Sequence, residues 1–293
     1  EFGIGMALIA EVWPASKRNR ASAWVGIGWQ AGVLMAAVLT PLLLPHIGWR
    51  GMFLVGLIPA LFSFALRHGL GEPDAFTRQE VAPTPLAFTS RLKLLFKDSR
   101  TAKASIGIFI LCSVQNFGYY GLMIWMPGYL SANFGFTLTK SGIWTAVTVI
   151  GMTLGIGVFG VLADRFSRWK IFIVYQLGAV IMVVVYARLT DPTLMLLAGA
   201  VMGMFVNGMI GGYGALISDT YPVAARATAQ NVLFNAGRAV GGLGPLVIGS
   251  LASEWSFTAA ITVLALIYVV DVLATLFLLP RSQGKDDALG AIG

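Results

Sequence analysis

Charge is scarce in this sequence: 11% of its 293 residues are Asp, Glu, Lys or Arg, while 57% are hydrophobic. Soluble chains average about 25% charged, so a water-soluble fold is excluded. Cysteine is scarcer still. One residue, Cys112, inside an apolar run, rules out a disulfide framework and any metal cluster built on cysteines. The two histidines, His46 and His68, stand at the ends of separate apolar runs and form no metal-ligand pair. The sequence also lacks a G-x-S-x-G elbow, an H-E-x-x-H helix and a phosphate loop. An enzyme is therefore disfavoured, and neither metal nor cofactor is expected. The net charge of +7 would raise the question of nucleic acid in a soluble chain. Here the basic residues fall in short segments between apolar runs, so the expected partner is the lipid bilayer and no nucleic acid.

A hydrocarbon core about 30 Å thick takes roughly 20 apolar residues per helix. Such windows fall at 21–45, 49–67, 104–130, 141–163, 169–187, 193–217, 227–250 and 257–279. Residues 1–13 read as the second half of a ninth span. Alternating the loops across the membrane places sixteen Lys and Arg on one side, from Lys17, Arg18 and Arg20 through to Lys285, and three on the other, Arg50, Lys140 and Arg188. The positive-inside rule makes the first side cytoplasmic, with the C-terminus inside. Leu86, Phe88, Leu92, Leu94, Leu95 and Phe96, interleaved with basic residues in the long loop 71–103, suggest either a helix lying at the inner surface or a polar linker.

Two segments repeat. Glu11-Val-Trp-Pro14-Ala-Ser-Lys-Arg18 recurs as Asp219-Thr-Tyr-Pro222-Val-Ala-Ala-Arg226, at an offset of 208 residues, and the junctions ending at Trp49 and Trp255 match at 206. Parallel repeats of that size indicate a transporter of two homologous halves. The second half holds six spans and the first only its last three, so three helices are expected ahead of residue 1. The expected division is 1–70 for the last three helices of the first bundle, 71–103 for a cytoplasmic linker, 104–280 for a six-helix bundle and 281–293 for a cytoplasmic tail.

The loop Gly160-Val-Leu-Ala-Asp164-Arg165-Phe-Ser-Arg168-Trp-Lys170 resembles the G-x-x-x-D-R-x-x-R signature of the major facilitator superfamily, with Ser167 where many members carry glycine. The acid-x-x-Pro-x-x-x-Arg turns resemble those after the fourth and tenth helices of that family. Trp125-Met-Pro127-Gly-Tyr129 and Asn235-Ala-Gly237-Arg238 are similar to metabolite:proton symporters, especially the sialate and aromatic-acid carriers. The resemblance implies an all-α integral membrane protein of two six-helix bundles, nine of whose spans lie in this chain, with a bacterial inner membrane as its location and a monomeric state.

Counting 1.5 Å per residue from the cytoplasmic ends puts Arg238, twelve residues past Arg226, about 18 Å up its helix. Gln30, its repeat partner, shares that depth, as do Glu1, Asn116, Asn207 and Asp271. An arginine at mid-membrane costs at least about 2.5 kcal/mol unless it faces protein or water, so it needs an anionic partner, either a substrate carboxylate or an acid of another helix. The candidate substrate residues are Arg238, Gln30, Gln115, Asn116, Tyr119, Tyr120, Asn207 and Asn235: a guanidinium for a carboxylate, amides for hydroxyls, and rings for a sugar or aromatic face. Glu1 and Asp271 are candidate proton carriers, each with a structural role as the alternative. Gly160, Asp164, Arg165 and Arg168 are expected to bias alternating access without touching substrate. Glycines at four-residue spacing, Gly199, Gly203 and Gly211, then Gly237, Gly241 and Gly249, read as close helix packing. The expected activity is symport of a small organic anion with protons; the rivals are an exporter of amphipathic compounds and a membrane scaffold.

Overall fold

The computed structural model describes residues 5–6, 13–69 and 86–281. Every regular element among them is helical. A short 3₁₀ turn, Ala15–Lys17, leads into α1 (Arg18–Val55) and α2 (Leu57–Gly69); then come α3 (Phe88–Leu94), α4 (Ser99–Phe134), α5 (Leu138–Arg165), α6 (Arg168–Tyr186), α7 (Pro192–Gly208), α8 (Ile210–Thr220), α9 (Val223–Gly241), α10 (Gly244–Glu254) and α11 (Phe257–Phe277).

The described residues contain seven stretches long and apolar enough to cross a membrane, not nine. Two causes account for the difference. Most of residues 1–13 lies outside the described residues, and the windows at 21–45 and 49–67 join into one 48-residue stretch, Arg18–Ala65. At 1.5 Å per residue that stretch measures about 72 Å, more than twice a hydrocarbon core. It is broken at Gly48, whose φ of 64° and ψ of 178° belong to no helix. The matching junction of the second repeat breaks too, since α10 ends at Glu254 and α11 starts at Phe257. Gly48 sits in a backbone region that is essentially glycine-only. A Cβ there would meet nothing within 4 Å, so Gly48→Ala acts through backbone strain alone, at about 1–3 kcal/mol. We expect that variant to lose heat stability in detergent. Gly32→Ala, equally unobstructed but inside the helix, should hold or gain stability.

Short polar side chains start the helices where the sequence offers them. Asp98, Asp191 and Ser256 accept hydrogen bonds from the backbone N–H of Thr101 (2.8 Å), Leu194 (2.8 Å) and Ala259 (3.1 Å), satisfying donors that the first turn leaves free. The Thr101 N–H holds the Asp98 carboxyl below the usual carboxylate range. The cap's contribution is thus complete above the ordinary Asp pKa and is lost as pH falls through the lowered value. α4 ends on Gly135 at φ 63°, with the Phe136 N–H bonded to the Leu130 carbonyl. In the long loop, α3 presents Phe88 outward, while Leu95 just beyond it is fully buried and its carbonyl accepts from the Ser105 hydroxyl at 2.6 Å.

α4 to α11 pack into one bundle, with α5 against α7, α9 against α4, and α11 against α6; α1 lies across α5 and α8. The glycine spacing sets these approaches. A Cβ on Gly237 would stand 2.5 Å from the Cys112 Cβ, and one on Gly241 2.4 Å from the Asn116 Cβ, so α9 closes on α4 with almost no side chain between them. That contact fixes the height and rotation of the next residue along, Arg238.

Candidate functional site

Where α4, α7, α8, α9 and α1 converge, a cavity of about 360 Å³ is lined by Trp29, Gln115, Asn116, Tyr119, Tyr120, Asn207, Ile210, Phe234 and Arg238. Arg238 donates from Nε to the Tyr120 hydroxyl at 2.9 Å, and its guanidinium carbon lies 5.0 Å from the centre of the Trp29 ring. The hydroxyl and the ring hold the guanidinium in place. No carboxylate of the described residues lies within ion-pair distance of it.

The amides are arranged as carefully. Gln115 Nε2 donates to Asn207 Oδ1 at 2.5 Å, which leaves Gln115 Oε1 and Asn207 Nδ2 buried without a partner among the described residues. Asn116 spends its amide N–H on the Cys112 carbonyl at 2.8 Å. Tyr119 and Tyr120 meet edge to face, with ring centres 5.3 Å apart. Both also line a second, wider cavity of about 1,000 Å³ between α1, α4 and α5, bordered by Val33, Thr40, Met123, Pro127 and Ser141. The two tyrosines therefore partition an inner chamber from an open vestibule.

Six of the eight residues that sequence depth and chemistry single out share the inner chamber: Arg238, Gln115, Asn116, Tyr119, Tyr120 and Asn207. Gln30 and Asn235 lie outside both cavities. Gln30 is fully buried with both amide atoms unpartnered among the described residues, and Asn235 is exposed, its amide N–H bonded to the Asn231 carbonyl at 2.8 Å. A helix turns about 100° per residue, so the chamber receives Trp29 and Phe234, one residue before each. Neither aromatic carries a sequence signal that separates it from an ordinary lipid-facing ring. Of the two candidate proton carriers, Glu1 lies outside the described residues. Asp271 is fully buried in the second bundle, away from both cavities: its Oδ2 accepts from Gln176 Nε2 at 3.1 Å, and the same amide reaches Thr275 Oγ1 at 2.7 Å.

At the end opposite the vestibule the helices are clamped by charge. Asp219 accepts from Arg18 and, at 2.6 Å, from Arg168 Nη2. Asp164 accepts from the Asn19 side chain at 2.9 Å and from the backbone N–H groups of Asn19 (3.2 Å) and Arg20 (3.3 Å). Gly160 lets α5 approach α1 here, because a Cβ would stand 2.8 Å from Ala23. Arg165 is exposed and forms no ion pair among the described residues.

The fold, the pseudo-repeated halves and a polar chamber at mid-depth define a multi-pass membrane transporter. The sequence profile of the Major Facilitator Superfamily matches residues 2–142 and again 108–291, and the chain belongs to that family, which comprises transporters and not enzymes. A Haemophilus influenzae protein assigned to metabolite transport is 62% identical over 97% of this chain and 71% of its own length. The cis,cis-muconate transport protein of Acinetobacter baylyi is 29% identical over 92% of this chain and 67% of its own. Among solved structures, the proton:xylose symporter XylE superposes with a TM-score of 0.73 at 17% identity, covering 98% of this chain and 70% of its own, which is a likeness of fold.

Proposed function

We propose that the protein is a secondary active transporter that carries a small organic anion with protons by alternating access, with Arg238 holding the substrate carboxylate. The observation behind this reading is a mid-membrane guanidinium, braced by Tyr120 and Trp29, with no acid among the described residues to neutralise it. A buried cation of that kind calls for an anion, and the planar guanidinium takes a carboxylate through two parallel hydrogen bonds. The transport of cis,cis-muconate, a dicarboxylate, by a 29%-identical relative supports a carboxylate-bearing cargo, while the chamber here offers one guanidinium among the described residues and so fits a single carboxylate. The sixteen-to-three distribution of basic residues puts the Asp219 and Asp164 clamp on the cytoplasmic side and the vestibule outside, so the arrangement is the outward-open one. On this reading residues 1–70 contribute to the first bundle and 104–280 form the second, in a bacterial inner membrane with the C-terminus inside.

The test is accumulation of radiolabelled sugar acids and aromatic acids in proteoliposomes under an imposed inward proton gradient. The proposal expects uphill uptake that a protonophore abolishes. Uptake that is indifferent to the gradient removes the coupling, and transport of amphipathic cations in place of acids supports the exporter. Coupling is assigned to Glu1 or Asp271. Glu1→Gln or Asp271→Asn at the coupling acid should abolish uphill uptake while substrate exchange persists, because a permanently neutral side chain releases no proton. Uphill uptake surviving both changes would move the coupling to another acid.

A further inference from the structure

We infer that the chamber has a second pole, formed by Gln115 and Asn207, that accepts an uncharged group able both to donate and to accept a hydrogen bond, such as a hydroxyl or carboxamide, and turns away a second carboxylate. This rests on the anion reading of Arg238 and adds to it the identity of the ligand's other polar group.

Gln115 and Asn207 are 2% and 1% exposed, and each has spent half of its amide on the other. The atoms left unpartnered among the described residues are a carbonyl oxygen, Gln115 Oε1, and an amide nitrogen with two N–H groups, Asn207 Nδ2, both on residues of the chamber wall. Rotating both amides by 180° exchanges the owners but again leaves one carbonyl oxygen and one NH2 group unpartnered. A hydroxyl satisfies both at once, giving its proton to Oε1 and taking one from Nδ2. A carboxylate satisfies only the donor. It sets its remaining lone pairs against Oε1, and among the described residues no cation other than Arg238 lines the chamber to offset a second charge. A bare apolar group leaves both amide functions unpaired. Of the other lining residues, Ile210 and Phe234 are apolar, and one Asn116 N–H is bonded to the Cys112 carbonyl.

The experiment is competition for uptake in proteoliposomes by a matched series: benzoate, the three hydroxybenzoates and the three benzenedicarboxylates, which share a ring and one carboxylate. At least one hydroxybenzoate should compete about ten- to a hundredfold better than benzoate, the loss expected when buried amide functions go unpaired, and every dicarboxylate should compete less well than benzoate. In Gln115→Met and in Asn207→Leu the ratio of hydroxybenzoate to benzoate should fall to about one. That ratio is internal to each variant, so differences in the amount of active protein cancel. Equal competition by all seven acids, each weakened by Arg238→Lys, overturns the second pole and leaves the anion site standing. Competition by none of them overturns the anion reading itself. A dicarboxylate that outcompetes every hydroxy acid also overturns the inference, as does a ratio unmoved in both variants.

Discussion

Arg238→Ala lowers affinity for a carboxylate substrate by about a hundred- to ten-thousandfold, and Arg238→Lys by roughly ten- to a hundredfold. Each hydrogen bond to a charged partner contributes about 1.5–3 kcal/mol, and tenfold in affinity corresponds to about 1.4 kcal/mol. Alanine removes both arms of the fork; lysine keeps the charge and loses one arm along with the planar geometry. Lysine also loses the brace, since it has no Nε–H to give the Tyr120 hydroxyl while its head engages the ligand. Tyr120→Phe should therefore weaken binding less than Arg238→Lys, and the two effects should overlap when combined. Equilibrium binding to purified protein, followed by isothermal titration, separates this from an expression defect. Unchanged affinity in Arg238→Lys would remove Arg238 from the substrate site and favour the amphipathic exporter.

Asp219→Asn should shift the conformational equilibrium away from the clamped state by about five- to a hundredfold, the range of about 1–3 kcal/mol typical of such couplings. One carboxylate serves two guanidiniums, and the Arg18 and Arg168 side chains are only 16% and 12% exposed. Removing the acid leaves two cations facing each other, a worse outcome than losing either arginine. Asp219 is itself 39% exposed, so solvent screening keeps the effect from growing larger. Spin labels at Thr40 on α1 and Ile124 on α4, two helices that both border the vestibule, should report a shorter distance in Asp219→Asn. Arg18→Gln or Arg168→Gln should move it less, because each leaves one ion pair intact. A distance distribution identical to that of the unmodified protein would show that the clamp does not set the equilibrium.

The spans were readable because a bilayer imposes length and apolarity on every crossing segment, and the chamber because polar side chains at one depth have few places to go. Arg238, Gln115, Asn116, Tyr119, Tyr120 and Asn207 could all be found that way. Depth, however, fixes only the coordinate along the membrane normal. Rotation about each helix axis is set by packing, which is why Gln30 and Asn235 share the depth of the chamber yet lie outside it. The repeat pairs Gln30 with Arg238, but the halves have diverged enough that the residue beside it, Trp29, supplies the wall. The merging of two spans across Gly48 escaped the hydropathy pattern for a related reason. A one-residue kink at a glycine leaves no gap in apolarity, and Trp49 and Phe53 continue the run.

The shared position of Tyr119 and Tyr120 has a pharmacological consequence. A molecule too bulky for the inner chamber but small enough for the wider vestibule would reach the two rings and stop there. Its inhibition would act from one face of the membrane, would slow the arrival and departure of substrate without competing for the guanidinium, and would keep its potency in Arg238→Lys. Substitutions at Met123 or Ser141, which border only the vestibule, would tune such a blocker while leaving the ligand preferences of the inner chamber to the residues behind the tyrosines.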